Sequence, residues 1–153
     1  MEGMRDAPLA TMREDGPAIE PRRLRVALAE DDDEQRWALE MALIEEGFEV
    51  LSFEDGAELL DFFEWAGPRA ADVIIADLNM PGRSGLDGLE RARARGLSAP
   101  IFVVTGEGSS ELRNRVAHLG NALFLQKPVD ASRLAQAIYR VASISGNEPG
   151  SQG

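Results

Sequence analysis

The stretch Asp72–Pro81, DVIIADLNMP, decides the fold. It reads as a strand from Asp72 to Ala76, apolar on the consecutive positions Val73 to Ala76, followed by a sharp polar turn at Asp77. A strand apolar on consecutive positions is covered on both faces, the signature of a parallel sheet with helices above and below.

Short apolar runs alternate with helical patterns on either side of it. Upstream, Leu24 to Ala29 is a first strand. A helix from about Glu34 to Glu46 follows, with Trp37, Met41 and Ile44 on an i, i+4, i+7 stripe that Leu39 and Leu43 broaden and that reads as its buried face. Gly47 ends it. Phe48 to Phe53 is a second strand, and Asp55 caps a helix to about Trp65 with Leu59, Leu60, Phe62 and Phe63 inward. Downstream, Ser84 and Asp87 form a capping-box pattern for a helix to about Arg95. Ile101 to Val104 is a fourth strand. Leu112, Val116 and Leu119 mark a helix that stops at Gly120. Ala122 to Leu125 is a fifth strand, and Leu134, Ile138 and Val141 mark a last helix capped by Asp130. Trp37 and Trp65 read as core or interface aromatics, and His118 as an ordinary helix residue, structural or exposed. Five strands and five helices in strict alternation predict a doubly wound α/β fold, whose site lies at the carboxyl ends of the strands.

The chain has 153 residues, which fits one domain, and its 44% hydrophobic content suffices for one core. Met1 to about Pro21 reads as a flexible tail, residues 22–145 as the folded domain, and Gly146 to Gly153 as a second tail. No apolar run approaches the ~20 residues that cross a bilayer, so no membrane role is expected. The N-terminus carries no hydrophobic leader, which leaves the cytoplasm as the expected compartment. The absence of cysteine excludes disulfides, thiolate metal sites and a cysteine nucleophile. A formal net charge of −11 argues against nucleic acid as a partner and suits divalent cations or basic proteins.

Glu30 and Asp31 follow the first strand, Asp77 and Asn79 the third, Thr105, Gly106 and Glu107 the fourth, and Lys127 the fifth. Parallel strands bring these ends to one edge. Carboxylates gathered there repel unless a cation sits among them, and Mg²⁺ takes such oxygen ligands while keeping several waters. Asp31 and Asp77 are the expected direct ligands, with the backbone carbonyl of Asn79 as a third and Glu30 acting through a bound water. Asp77 is also a candidate nucleophile towards phosphorus. Lys127, the Thr105 hydroxyl and the Gly106 N–H would serve the equatorial oxygens of a transferring phosphoryl group. Gly106 would leave room for that group. Of 16 basic residues 15 are Arg, and the single Lys is Lys127. A compact ammonium and a planar guanidinium are not interchangeable in a crowded oxygen cluster.

With these residues the chain resembles the response-regulator receiver domains of two-component signalling, over about Arg22 to Ser145. The resemblance is carried by Glu30-Asp31 with Arg36, by Asp77-Leu78-Asn79-Met80-Pro81 with Gly85, by Val104-Thr105-Gly106-Glu107, and by Lys127-Pro128. It implies a flavodoxin-like five-stranded parallel sheet in the order 2-1-3-4-5 and Mg²⁺ held by Glu30, Asp31 and Asp77. It also implies phosphorylation of Asp77 by a histidine kinase or histidine phosphotransfer protein, and a cis Lys127-Pro128 bond. Thr105 and Phe124 would be the switch pair, relaying to a face made of the fourth helix, fifth strand and fifth helix, where a protein target or a second copy docks. Asn79 and Glu107 would flank the attacking water and tune self-dephosphorylation. No output domain follows Ser145, so the signal is expected to leave by protein contact. Val129, Asn121 and Phe124 depart from common family choices and touch the output surface, not the phosphorylation chemistry. Two other readings compete: a receiver-like binding module that is never phosphorylated, and an aspartate-nucleophile phosphatase. The second would need an acid where Asn79 stands.

Overall fold

The structure is a computed structural model that describes residues 22–78, 84–106 and 108–147. Its elements alternate as β1 (Arg25–Glu30), α1 (Asp33–Glu45), β2 (Glu49–Phe53), α2 (Gly56–Ala66), β3 (Val73–Asp77), α3 (Ser84–Ala94), β4 (Ile101–Thr105), α4 (Ser110–Leu119), β5 (Ala122–Gln126) and α5 (Ala131–Asn147). The five strands form one sheet in the order β2-β1-β3-β4-β5, every neighbouring pair parallel. This is the expected doubly wound arrangement.

Strand side chains point alternately to the two faces, and the core divides accordingly. Ala27, Ala29, Ile74, Ala76, Ile101 and Val103 pack with α2, α3 and α4. Val26, Leu28, Val73, Ile75, Phe102 and Val104 pack with Phe48, with Leu43 of α1 and with Leu134 and Ile138 of α5. Every residue of β3 and β4 is buried, whereas the edge strands β2 and β5 are mostly half-buried. At the other end of the sheet, Asp72 accepts both guanidinium nitrogens of Arg22, at 2.9 and 3.0 Å, and the Arg25 N–H at 2.8 Å.

Local chemistry sets the helix ends. The side chains of Asp32, Asp55 and Ser109 accept the backbone N–H groups of Gln35, Glu58 and Leu112 and so cap α1, α2 and α4. Asn121 takes the left-handed conformation at φ 51°, which asparagine tolerates better than most residues.

Three expectations need correction. The stripe Trp37, Met41 and Ile44 is not the buried face of α1. These residues are 65%, 40% and 39% exposed, and Leu43 is the buried contact. Trp65 is 85% exposed, which overturns the core alternative for it and leaves the interface one. The capping pattern expected of Ser84 involves a side chain outside the described residues, while Asp87 pairs with Arg115 of α4 at 2.8 Å. The last helix runs past the expected boundary to Asn147, because one glycine only weakens a helix, whereas Pro149 cannot continue one.

Candidate functional site

Register builds the site. Glu30 lies opposite Asp77 at the ends of β1 and β3, and Thr105 lies opposite Gln126 at the ends of β4 and β5. Lys127 is the next residue, and its backbone N–H donates to the Thr105 carbonyl at 2.8 Å. The Lys127-Pro128 peptide is cis, as expected. Glu30, Asp77 and Thr105 are the only buried polar side chains among the described residues. The fold therefore concentrates its buried polarity at one edge of the sheet.

The Lys127 Nζ lies 2.9 Å from Asp77 Oδ1. The Thr105 hydroxyl donates to the Leu78 carbonyl at 2.9 Å, and the Leu78 N–H donates to the Val104 carbonyl at 2.7 Å. These bonds tie the start of the β3–α3 turn to the end of β4. Glu30 Oε2 accepts the Asp32 N–H at 2.8 Å. Burial, reinforced by a side-chain hydrogen bond with Asp77 and its charge, pushes the Glu30 carboxyl up to about 8, against the pull of the Asp32 N–H and Lys127.

Glu30, Asp77, Thr105 and Lys127 thus converge. Asp31 is adjacent in sequence but exposed. Among the described residues no three acidic or histidine side chains are gathered closely enough to hold an ion as they stand. Like charges repel, and successive side chains of an extended segment point to opposite sides. The donor chemistry nevertheless fits Mg²⁺: every available ligand is a hard oxygen. Glu30 and Asp77 lie opposite each other in register, and the Lys127 ammonium stands against Asp77, so two carboxyl groups share one positive charge at this edge. Asn79 and Glu107 lie outside the described residues.

A Cβ placed on Gly106 would meet no described protein atom within 4 Å, so packing alone does not require glycine there. Phe124 is half-buried against the α2–α3–α4 core, with the Arg113 guanidinium 4.4 Å from its ring centroid, a cation–π contact.

Three residues near or behind the site escaped sequence reasoning as contacts. Gln35 accepts a hydrogen bond from Lys127 Nζ at 2.9 Å. Arg36, noted only for its spacing, donates to the Glu30 carbonyl at 2.8 Å. Arg93 of α3 donates to the carbonyls of Leu97, Ala99, Leu119, Gly120 and Asn121, stitching the loops before β4 and β5. No local sequence pattern announces the reach of Gln35 to Lys127 or of Arg93 to the loop before β5.

A doubly wound sheet with an acid pair, a threonine and a lysine at its carboxyl edge defines a narrow class. The family model described as the response regulator receiver domain matches residues 26–139. FixJ, a transcriptional regulatory protein of Azorhizobium caulinodans, is 36% identical over 119 residues, 77% of this chain and 54% of FixJ. NtrC, a DNA-binding transcriptional regulator of Escherichia coli, is 30% identical over 118 residues, 77% of this chain and 24% of NtrC. The chemotaxis protein CheY4 of Vibrio cholerae superposes with a TM-score of 0.68 and 28% identity, covering 78% of this chain and 99% of that one. The chain belongs to the receiver-domain family of two-component response regulators. It spans about half the length of FixJ and about a quarter of NtrC. Among the described residues no helix is long and apolar enough to cross a membrane.

Proposed function

We propose that this chain is a phospho-accepting signalling module in which Asp77 takes a phosphoryl group from a histidine kinase or histidine phosphotransfer protein. An Asp77 carboxylate oxygen attacks phosphorus, the phosphorus–nitrogen bond of the donor phosphohistidine breaks, and its electron pair leaves on the imidazole, which takes up a proton. Asp77 and Asp31 would hold Mg²⁺, with the Asn79 carbonyl, while Glu30 acts through water and keeps the Asp31-Asp32 turn in place. The metal, when bound, neutralises charge on the carboxylates and on the phosphoryl oxygens. Lys127 offers its ammonium to a second oxygen, and the Thr105 hydroxyl and Gly106 N–H serve the third. Asn79 and Glu107 set how readily water reaches the acyl phosphate. The reaction is self-catalysed and serves signalling.

The hydroxyl of Thr105 is held by the Leu78 carbonyl, from which a phosphoryl oxygen could draw it away. Phe124, half-buried beneath Arg113, then repacks and alters the face of α4, β5 and α5. Leu123 on β5 is 48% exposed, which suits a protein target or a second copy docking there.

The observation that carries this reading is the 2.9 Å pair between Lys127 Nζ and Asp77 Oδ1 at the carboxyl edge of the sheet. Incubation with acetyl phosphate and Mg²⁺, followed by intact-mass measurement, tests it. The wild type is expected to gain one phosphoryl group and Asp77→Asn none. Equal labelling of both would move the acceptor away from Asp77 and overturn this reading, and labelling of neither would return the chain to the non-phosphorylated binding module.

A further inference from the structure

We infer that Gln35 is a positioning residue for Lys127, holding its ammonium at the mouth of the pocket throughout phosphoryl transfer. The inference rests on the phospho-acceptor reading for its consequence but not for its geometry. Lys127 Nζ donates to Gln35 Oε1 at 2.9 Å while standing 2.9 Å from Asp77 Oδ1. Gln35 thus reaches from α1 to a residue 92 positions away in sequence.

The first turn of α1 is unusually well anchored for this task. The Gln35 N–H donates to the capping carboxylate of Asp32 at 2.9 Å. The Asp32 N–H donates to Glu30 Oε2 at 2.8 Å, and Arg36 donates to the Glu30 carbonyl at 2.8 Å. Gln35 is therefore tied through its own backbone and both neighbouring contacts to the end of β1, the strand paired with β3.

The chemistry explains why an amide suits the position. A lysine ammonium sits on a flexible four-carbon stem and loses considerable rotamer freedom when fixed. Its partner Asp77 changes character during the reaction, from a carboxylate to an acyl phosphate. An ammonium held by Asp77 alone would lose its anchor as the negative charge moves to the phosphoryl oxygens. A neutral amide oxygen holds it in both states. A carboxylate at position 35 would compete with the phosphoryl group for the charge.

Lys127 is the only lysine in the chain, so lysine labelled with ¹³C and ¹⁵N reports this side chain and no other. In the wild type its ε-methylene protons should be inequivalent and its Nζ hydrogens slow to exchange. Gln35→Met keeps an unbranched, helix-favouring side chain without the acceptor. In this variant the methylene signals should merge and exchange should quicken. Unchanged Lys127 signals would overturn the inference.

With acetyl phosphate and Mg²⁺, Gln35→Met should lower the maximal rate of Asp77 labelling about fivefold, within the worth of one hydrogen bond to a charged group. The half-saturating donor concentration and the Mg²⁺ affinity should stay as in the wild type. In a Lys127→Met background the same substitution should change nothing further. An equal loss in both backgrounds would assign Gln35 a role in the helix alone and overturn the inference. A wild type that takes no label sinks the phospho-acceptor reading, and the lysine signals still decide the positioning role.

Discussion

Glu30 and Arg93 are ionisable groups taken out of water by opposite means. Arg93 satisfies its guanidinium with backbone carbonyls and has no acidic hydrogen-bond partner among the described residues; burial lowers its pKa. Arg93→Met leaves those carbonyls to find other donors and should cost about 3 kcal/mol, measurable by urea titration. A loss below about 1 kcal/mol would mean water replaces the guanidinium freely. Glu30 instead holds a proton more tightly than an ordinary carboxyl, with a value raised to about 8. Its folded pKa lies above its unfolded one, so the metal-free folded state binds more protons between roughly pH 4.5 and 8. Stability from this group is complete below that window and falls as pH rises through it. In EDTA the melting temperature should be lower at pH 8.5 than at pH 6, a difference that Glu30→Gln should largely remove. Mg²⁺ should raise it more at pH 8.5, where its ligands are ionised. A flat profile would show that Glu30 is ionised in the metal-free fold.

At the scale of elements, α1 is the instructive helix. It carries apolar side chains on two flanks, and only the flank with Leu43 meets the sheet. The Phe48 ring stacks on Tyr139 at 4.7 Å, and the Tyr139 hydroxyl donates to the Glu46 carbonyl, closing the end of α1 against α5. Leu43→Ala should therefore cost about 2–5 kcal/mol by denaturant titration, and Trp37→Ser about 0.5 kcal/mol or less. The reverse ranking would restore the stripe as the buried face. Between α2 and α3 the backbones approach closely, and a Cβ on Gly88 would sit 2.7 Å from the Gly56 carbonyl oxygen. Glycine to alanine inside a helix usually stabilises by about 1 kcal/mol. Gly88→Ala should instead lower the melting temperature, since backbone rather than a flexible side chain must move.

On the scale of the molecule, the two hydrophobic clusters share the same strands, residue by residue in alternation. Neither can come apart while the other stays whole, so residues 22–147 should unfold in one cooperative transition. Far-UV circular dichroism and the protection of β3 amides should give the same urea midpoint. Two midpoints would mean that one helical layer detaches by itself.

The fold was legible because its signals are local. Consecutive apolar residues at Val73 to Ala76 demand cover on both faces, and alternation with helices leaves few topologies. Glu30, Asp77, Thr105 and Lys127 were legible as neighbours because each stands at a strand end, where parallel pairing must bring them together. Which flank of α1 is buried was not legible, since periodicity identifies an apolar stripe without saying what it meets. Nor were Gln35 on Lys127 or Arg93 beneath two loops, because such contacts depend on the angle at which one element crosses another. Patterns of period and position are written along the chain itself. Contacts that a side chain makes 26 to 92 residues away exist only once the layers have packed.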